Sequence, residues 1–217
     1  MTTLPNLSPL NLAELDFERL LGDPRLGQQI RFILEVEKLK TVLRRTPLLN
    51  ASRVENDAEH TWELALMAVV LAEYADETVD LCKVLKMILI HDIVEIDAGD
   101  TFIYDGHAAL DQESRERAAA DRLFGILPDD QASELRSLWD EFEDRETAEA
   151  RFARAMDRLQ PLLHNFFTKG GTWHLADVTE SMVIERKKPI EFASARLWAA
   201  AKNLITEGTR RGFLKRS

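Results

Sequence analysis

Apolar residues recur every three or four positions along most of this chain, the spacing that puts one face of an α-helix against a core. Leu12–Leu21 and Leu26–Leu43 are the first two predicted helices, divided by Gly22-Asp23-Pro24, where Asp23 suits an N-cap and Pro24 a first-turn position. Residues 44–51 form a Pro-containing connection. A third helix is predicted over Asn56–Tyr74, with Asn56 and Glu59 spaced as a capping box. A fourth runs Leu81–Ala98 and stops at Gly99, with Val84, Leu85, Ile88 and Leu89 as its apolar face. Beyond a polar loop holding Tyr104, Gly106 and His107, helices are predicted over Asp111–Phe124, Pro128–Asp144 and Thr147–Phe167, the last with Pro161 inside it. After Gly170-Gly171 come Leu175–Glu185 and Phe192–Gly208. No stretch of useful length alternates with period two, and no repeat or low-complexity tract divides the chain. The pattern predicts an all-α, bundle-like domain of about nine helices.

Composition narrows what such a bundle does. With 217 residues, 45% hydrophobic, the chain is long enough for a sizeable core. Trp139, Trp173 and Trp198 are expected to anchor it, and Trp62 to join the core or line a pocket. A net charge of -10 argues against a partner that is a nucleic-acid polymer or an anionic membrane. A small anionic substrate stays compatible, because a metal and one or two arginines reverse the local field. The single cysteine, Cys82, excludes an internal disulfide and is expected as a small core residue. Met1 to Leu12 lacks the basic start and apolar centre of a signal peptide, so a soluble cytoplasmic protein is expected.

Chemistry enters at His91–Asp92. Both residues continue the apolar stripe of the fourth helix, three and four positions beyond Ile88, and Glu95 follows one turn later. Such groups are costly to bury unless paired or bound to a metal. His60, in the first turn of the third helix, and Asp157, among Phe152, Met156, Leu159 and Leu163, would complete a set of two imidazoles and two carboxylates. Pro161 has no N–H for the Asp157 carbonyl. That ligand set suits Mn, Co, Fe or Zn, with Mg possible, and leaves coordination positions free. On spacing alone, a satisfied core ion pair explains the same residues equally well. A ferritin-like di-metal site does not, since it needs Glu three residues before each histidine and finds Asp57 and Ile88 there.

The order His60, His91–Asp92, Asp157 resembles the H…HD…D pattern of the HD-domain metal-dependent phosphohydrolases. The stretches at residues 45–50, 53–60, 91–100 and 138–163 are similar to the bacterial YfbR-like 5′-deoxynucleotidases and the related HD domain-containing protein 2 group. The likeness covers about residues 30–212, implying an HD domain over 26–212 behind an N-terminal extension and first helix at 1–25.

The resemblance implies that His60, His91, Asp92 and Asp157 bind one divalent metal ion. It further implies that Glu95 positions or deprotonates the attacking water, that Asp100 lies near substrate and leaving group, and that Arg45 contacts phosphate. The implied substrate is a (deoxy)nucleoside 5′-monophosphate and the implied assembly a homodimer. Thr46 departs from the pattern: the bacterial enzymes carry a tryptophan there, linked to excluding a ribose 2′-hydroxyl. Arg44 is expected to be a helix-end cation, and Glu59 a capping partner. His164, seven residues past Asp157, is expected in a polar core contact, with His107 and His174 exposed. The competing readings are a hydrolase of another phosphate ester and a ligand-sensing module without turnover.

Overall fold

The structure, a computed structural model, describes residues 8, 10–104 and 111–217. Its described residues form ten α-helices and one two-stranded sheet. The elements are α1 (Phe17–Leu21), α2 (Pro24–Val36), β1 (Leu43–Pro47), β2 (Val54–Asn56), α3 (Asp57–Leu71), α4 (Leu81–His91), α5 (Glu95–Ala98), α6 (Gln112–Phe124), α7 (Asp129–Asp144), α8 (Ala148–Phe167), α9 (Glu180–Lys187) and α10 (Ala195–Arg210). Short oxygen-bearing side chains start most of them. Asp16, Asp23, Asn56, Asp80, Thr147, Thr179 and Ser194 each accept a first-turn N–H, and Asn56 and Glu59 complete the expected capping box.

The helical bundle is as the periodicity predicts, with four corrections. The first predicted helix is a 3₁₀ turn at Leu12–Glu14 followed by α1, and α2 ends at Val36 in a second 3₁₀ turn. The connection after it is an antiparallel hairpin, pairing Leu43 with Asn56 and Pro47 with Val54 around a bulge. Period two is present in β1, but its inward positions are Arg44 and Thr46, so no apolar alternation marks it. The fourth predicted helix breaks after His91. Past that point the backbone bonds tighten to three-residue spacing, from Ile93 N–H to Ile90 C=O (3.2 Å) and from Glu95 N–H to Asp92 C=O (3.0 Å). Gly99, at φ 76°, then takes the chain out of α5 in a conformation other residues resist. Finally, Leu175–Glu185 is shifted: α9 spans Glu180–Lys187.

Helix α8 lies at the centre and packs on α3, α4, α7 and α10. Leu64, Met87, Ile88, Phe142, Phe152, Met156 and Leu162 fill the main core. Ile90, Ile93, Val94, Leu123, Phe124 and Trp139 form a second cluster under α6. Trp139, Trp173 and Trp198 are buried anchors, whereas Trp62 is 66% exposed. Cys82 and Leu89 also face outward, and Met87 takes the inward place on α4. His107 lies outside the described residues, and among those described no helix is long and apolar enough to cross a membrane.

Candidate metal centre

Three elements bring the ligand candidates together. His60 projects from the first turn of α3, held by the Asn56 cap; His91 ends α4; Asp157 sits at the middle of α8. The break after His91 turns Asp92 back toward the same point. The His91 carbonyl, left without a helical partner, accepts the Trp139 indole N–H at 3.2 Å. One ligand atom each from His60, His91 and Asp157 lies within 4.8 Å of the others.

Both imidazoles present Nε2 to this point. His91 Nδ1 donates to Ile88 C=O at 2.7 Å, and His60 Nδ1 faces the Gln160 side-chain oxygen at 3.2 Å. Such outer partners fix the tautomer that leaves an Nε2 lone pair free. His60 Nε2 is 3.2 Å from Asp157 Oδ1 and 3.8 Å from Asp92 Oδ2, and His91 Nε2 is 3.0 Å from Asp92 Oδ1 and 3.9 Å from Asp157 Oδ1. Although close to Asp92 Oδ1, the buried His91 Nε2 is not aligned to donate to it and has no hydrogen-bond partner. An orphaned imidazole nitrogen aimed at two carboxylates and a second imidazole fits a divalent cation. Burial opposes ionisation of Asp157, but Arg158, His60 and Arg154 outweigh it and hold the carboxyl well below its usual range. Asp92 is likewise opposed by burial and still held at about 2, by His91 and Arg44. Both are anionic, as ligands must be.

A second cluster lies one turn away, where Glu55, Glu63 and His164 approach each other. Gln160 joins the two: its amide nitrogen donates to Glu55 at 2.8 Å and Glu63 at 2.7 Å. His164 donates from Nε2 to Glu63 (2.9 Å) and from Nδ1 to Pro47 C=O (3.0 Å). Burial resists the resulting charge, but Glu63 and Pro47 raise the imidazole's pKa above 6.5. With both nitrogens donating, His164 has no lone pair for a metal.

Arg44 corrects the expectation of a helix-end cation. It sits on β1, with its guanidinium 3.2 Å from Glu55 and Asp57, 3.1 Å from Asp92 and 3.8 Å from Asp100. Around it Asp57, Glu95 and Asp100 form a third group. Burial, then repulsion from Asp92 and Asp57, pushes Glu95 well above its usual value. Burial and Asp92 raise Asp57 to about 7, and burial chiefly raises Asp100.

The centre opens into a cavity of about 790 Å³, within the usual range for small-molecule sites. Arg45 lines it, exposed, with its guanidinium 5.0 Å from the Phe102 ring centre, and buried Thr46 lies beside it. Glu95 and Asp100 line the same cavity, so every expected site residue except fully buried His60 borders it. Trp62 does not. Gln160 and Glu63 were legible only as i,i+3 neighbours of Asp157 and His60. Spacing along the chain assigned Glu55, Asp57 and Arg44 no part in the site; they converge through the hairpin.

An HD domain family model matches residues 36–198. Bovine 5′-deoxynucleotidase HDDC2 is 30% identical over 142 residues, covering 63% of this chain and 68% of the relative; the human protein of that name is 29% identical with the same coverage. A crystal structure from Magnetospirillum magnetotacticum, named a "predicted metal-dependent phosphohydrolase", is 59% identical, covers 88% of this chain and 98% of its own, and superposes with a TM-score of 0.83. A Pyrococcus horikoshii protein at 23% identity shares the fold, with a TM-score of 0.63 over 81% of this chain and 99% of its own.

Proposed function

The chain belongs to the HD domain family, and from that premise we propose that it is a metal-dependent phosphohydrolase that releases phosphate from (deoxy)nucleoside 5′-monophosphates. The observation that carries the reading is the buried, unpartnered His91 Nε2, converging with His60 and Asp157 on the floor of a polar cavity. The names of the HDDC2 relatives and of the Magnetospirillum structure support the reaction and substrate class.

His60, His91, Asp92 and Asp157 would hold one divalent ion. Such an ion supplies a Lewis acid for a phosphoryl oxygen and makes nearby water more acidic. Glu95 takes the proton of the attacking water. Burial, and then repulsion from Asp92, raises its affinity for protons well above that of a free carboxylate, the direction that strengthens a general base. Asp100, 3.8 Å from Arg44, stands beside the leaving group. Arg45 offers a planar donor fork to phosphate oxygens from the cavity's edge. Thr46 is small enough to leave room for a ribose 2′-hydroxyl, so both sugar classes fit. The apolar outer face of α3, with Trp62, Leu66 and Val69 exposed at successive turns, supports a homodimer that covers it. The lone, exposed thiol of Cys82 supports a reducing cytoplasm.

The test is phosphate release from deoxyribo- and ribonucleoside monophosphates by chelator-treated protein reloaded with Mn, Co, Zn or Mg. Turnover of monophosphates only with metal is expected. Turnover confined to other esters would overturn the substrate class, and nucleotide binding without release would overturn the enzyme reading.

A further inference from the structure

The wall of the cavity beyond Asp157 carries more donors than the described residues offer acceptors. Lys187, the last residue of α9, is 2% exposed and lines the cavity, yet makes no hydrogen bond or ion pair with any described residue. Arg158 approaches one carboxylate, Asp157, at 3.8 Å. Tyr104 Oη is buried without an acceptor, facing the Trp173 indole N–H, which is itself a donor. Arg154 adds a third cation to this wall, 3.6 Å from Asp157 and 3.8 Å from Glu143, with its Nε unpartnered. Arg186 lines the same region without an ion pair to any described residue.

Buried cations are normally paired, since desolvation is otherwise uncompensated. Here Asp157 is the shared carboxylate for Arg154 and Arg158, and its other oxygen faces the histidines. Lys187 feels the Asp157 carboxylate only from beyond ion-pair distance, against the like charges of Arg158, Arg44 and Arg154. Burial first, and then Arg158, drags its ammonium down to about 7. A structural lysine at a helix end would donate to the last carbonyls, and this one does not. The acidic side chains lining the cavity near this wall are Glu143, engaged by Arg145 at 3.4 Å and by Arg154, and Glu185 and Asp144, neither within ion-pair distance of Lys187 or Arg158.

We propose that Lys187, Arg158 and Tyr104 form a phosphate-binding subsite on this wall, with Arg154 at its edge. An ammonium, a guanidinium fork and a hydroxyl offer the mixture of charge and directed donors that a tetrahedral dianion takes. The subsite deepens the phosphohydrolase reading and rests on it for the identity of the anion. It gives phosphate a second cationic wall, in addition to Arg45.

Chelator-treated, metal-free protein is titrated with inorganic phosphate by calorimetry and by thermal shift. Wild type should bind and gain melting temperature. Lys187→Met should bind at least tenfold more weakly and lose that gain, while its own melting temperature without phosphate stays equal or rises, because an unpaired buried charge is gone. Tyr104→Phe should bind a few-fold more weakly. Wild-type phosphate affinity in folded Lys187→Met overturns the subsite; should that variant not fold, wild-type affinity in both Tyr104→Phe and Arg158→Gln does so. In metal-loaded enzyme, a raised KM for a nucleoside 5′-monophosphate with kcat nearly unchanged assigns the subsite to the cleaved phosphate. A KM effect confined to a nucleoside 3′,5′-bisphosphate assigns it to a second phosphate. Protein that binds phosphate here yet hydrolyses no ester sinks the proposed function and leaves the subsite standing.

Discussion

His60 with Asp157, and Glu63 with His164, lie on the same two helices, one turn apart on α3 and two turns apart on α8, and are joined by Gln160. Both clusters combine imidazole and carboxylate, both are largely buried, and each has three groups close enough to share an ion. They differ in how their protons are used. Around His164 both ring nitrogens donate and both Gln160 amide hydrogens are taken. Around His91 the Nδ1 proton is taken but Nε2 is left over, against two carboxylates held ionised. Residue type therefore does not distinguish a structural cluster from a metal centre. The balance of donors and acceptors does.

The strongest way to break this contrast is at the open centre. Asp92→Ala removes a ligand candidate and the partner of Arg44, and is expected to abolish both metal occupancy, measured by elemental analysis after dialysis, and turnover. Retained stoichiometric metal would contradict the centre. Glu95→Ala comes next. It should keep the metal and lose about 10²- to 10⁴-fold in kcat, the range of general acid–base catalysis; an unchanged kcat would remove Glu95 from the chemistry.

Gln160→Leu probes the link between the clusters. It strips the outer partner from His60 and should weaken metal affinity about 10- to 100-fold, read by competition with a chelating dye, while loosening Glu55 and Glu63 as well. Equal metal affinity in variant and wild type would mean that the two clusters are independent.

The smallest effect belongs to the closed cluster alone. Glu63→Gln should leave metal stoichiometry intact and cost about 1 kcal/mol or less, since Glu63 is partly exposed. The sign follows from linkage. Hydrogen bonds from His164 and Gln160 outweigh burial and lower Glu63 from 4.5, so its contribution is present above that value and fades as pH falls through the lowered one. The His164 contribution is present below 6.5 and fades as pH rises through its raised value. The gap in melting temperature between wild type and variant should therefore be widest between pH 4.5 and 6.5. A gap independent of pH would deny the charged His164–Glu63 pair.

Helix positions, caps and the central place of Asp157 were legible in the chain because they depend on neighbours three or four residues apart. Asn56 and Glu59 are one such set, and Phe152, Met156 and Leu159 another. The break after His91 was not legible, since Ile93 and Val94 prolong the apolar run. What stops α4 there is tertiary: Trp139, from α7, takes up the His91 carbonyl. The hairpin was hidden for a related reason, because its inward strand positions are filled by Arg44 and Thr46 rather than by hydrocarbon.

Local periodicity and side-chain chemistry thus determined the all-α architecture, the candidate ligands and their order along the chain. Only the tertiary structure decided which histidine keeps a lone pair, that Arg44 and not solvent neutralises Asp57 and Asp92, and that Lys187 faces a cavity with no ion pair to a described residue. Those outcomes depend on contacts between residues far apart in sequence, as in the 97 positions separating His60 from Asp157. Spacing along one helix carries no information about what another helix places opposite it.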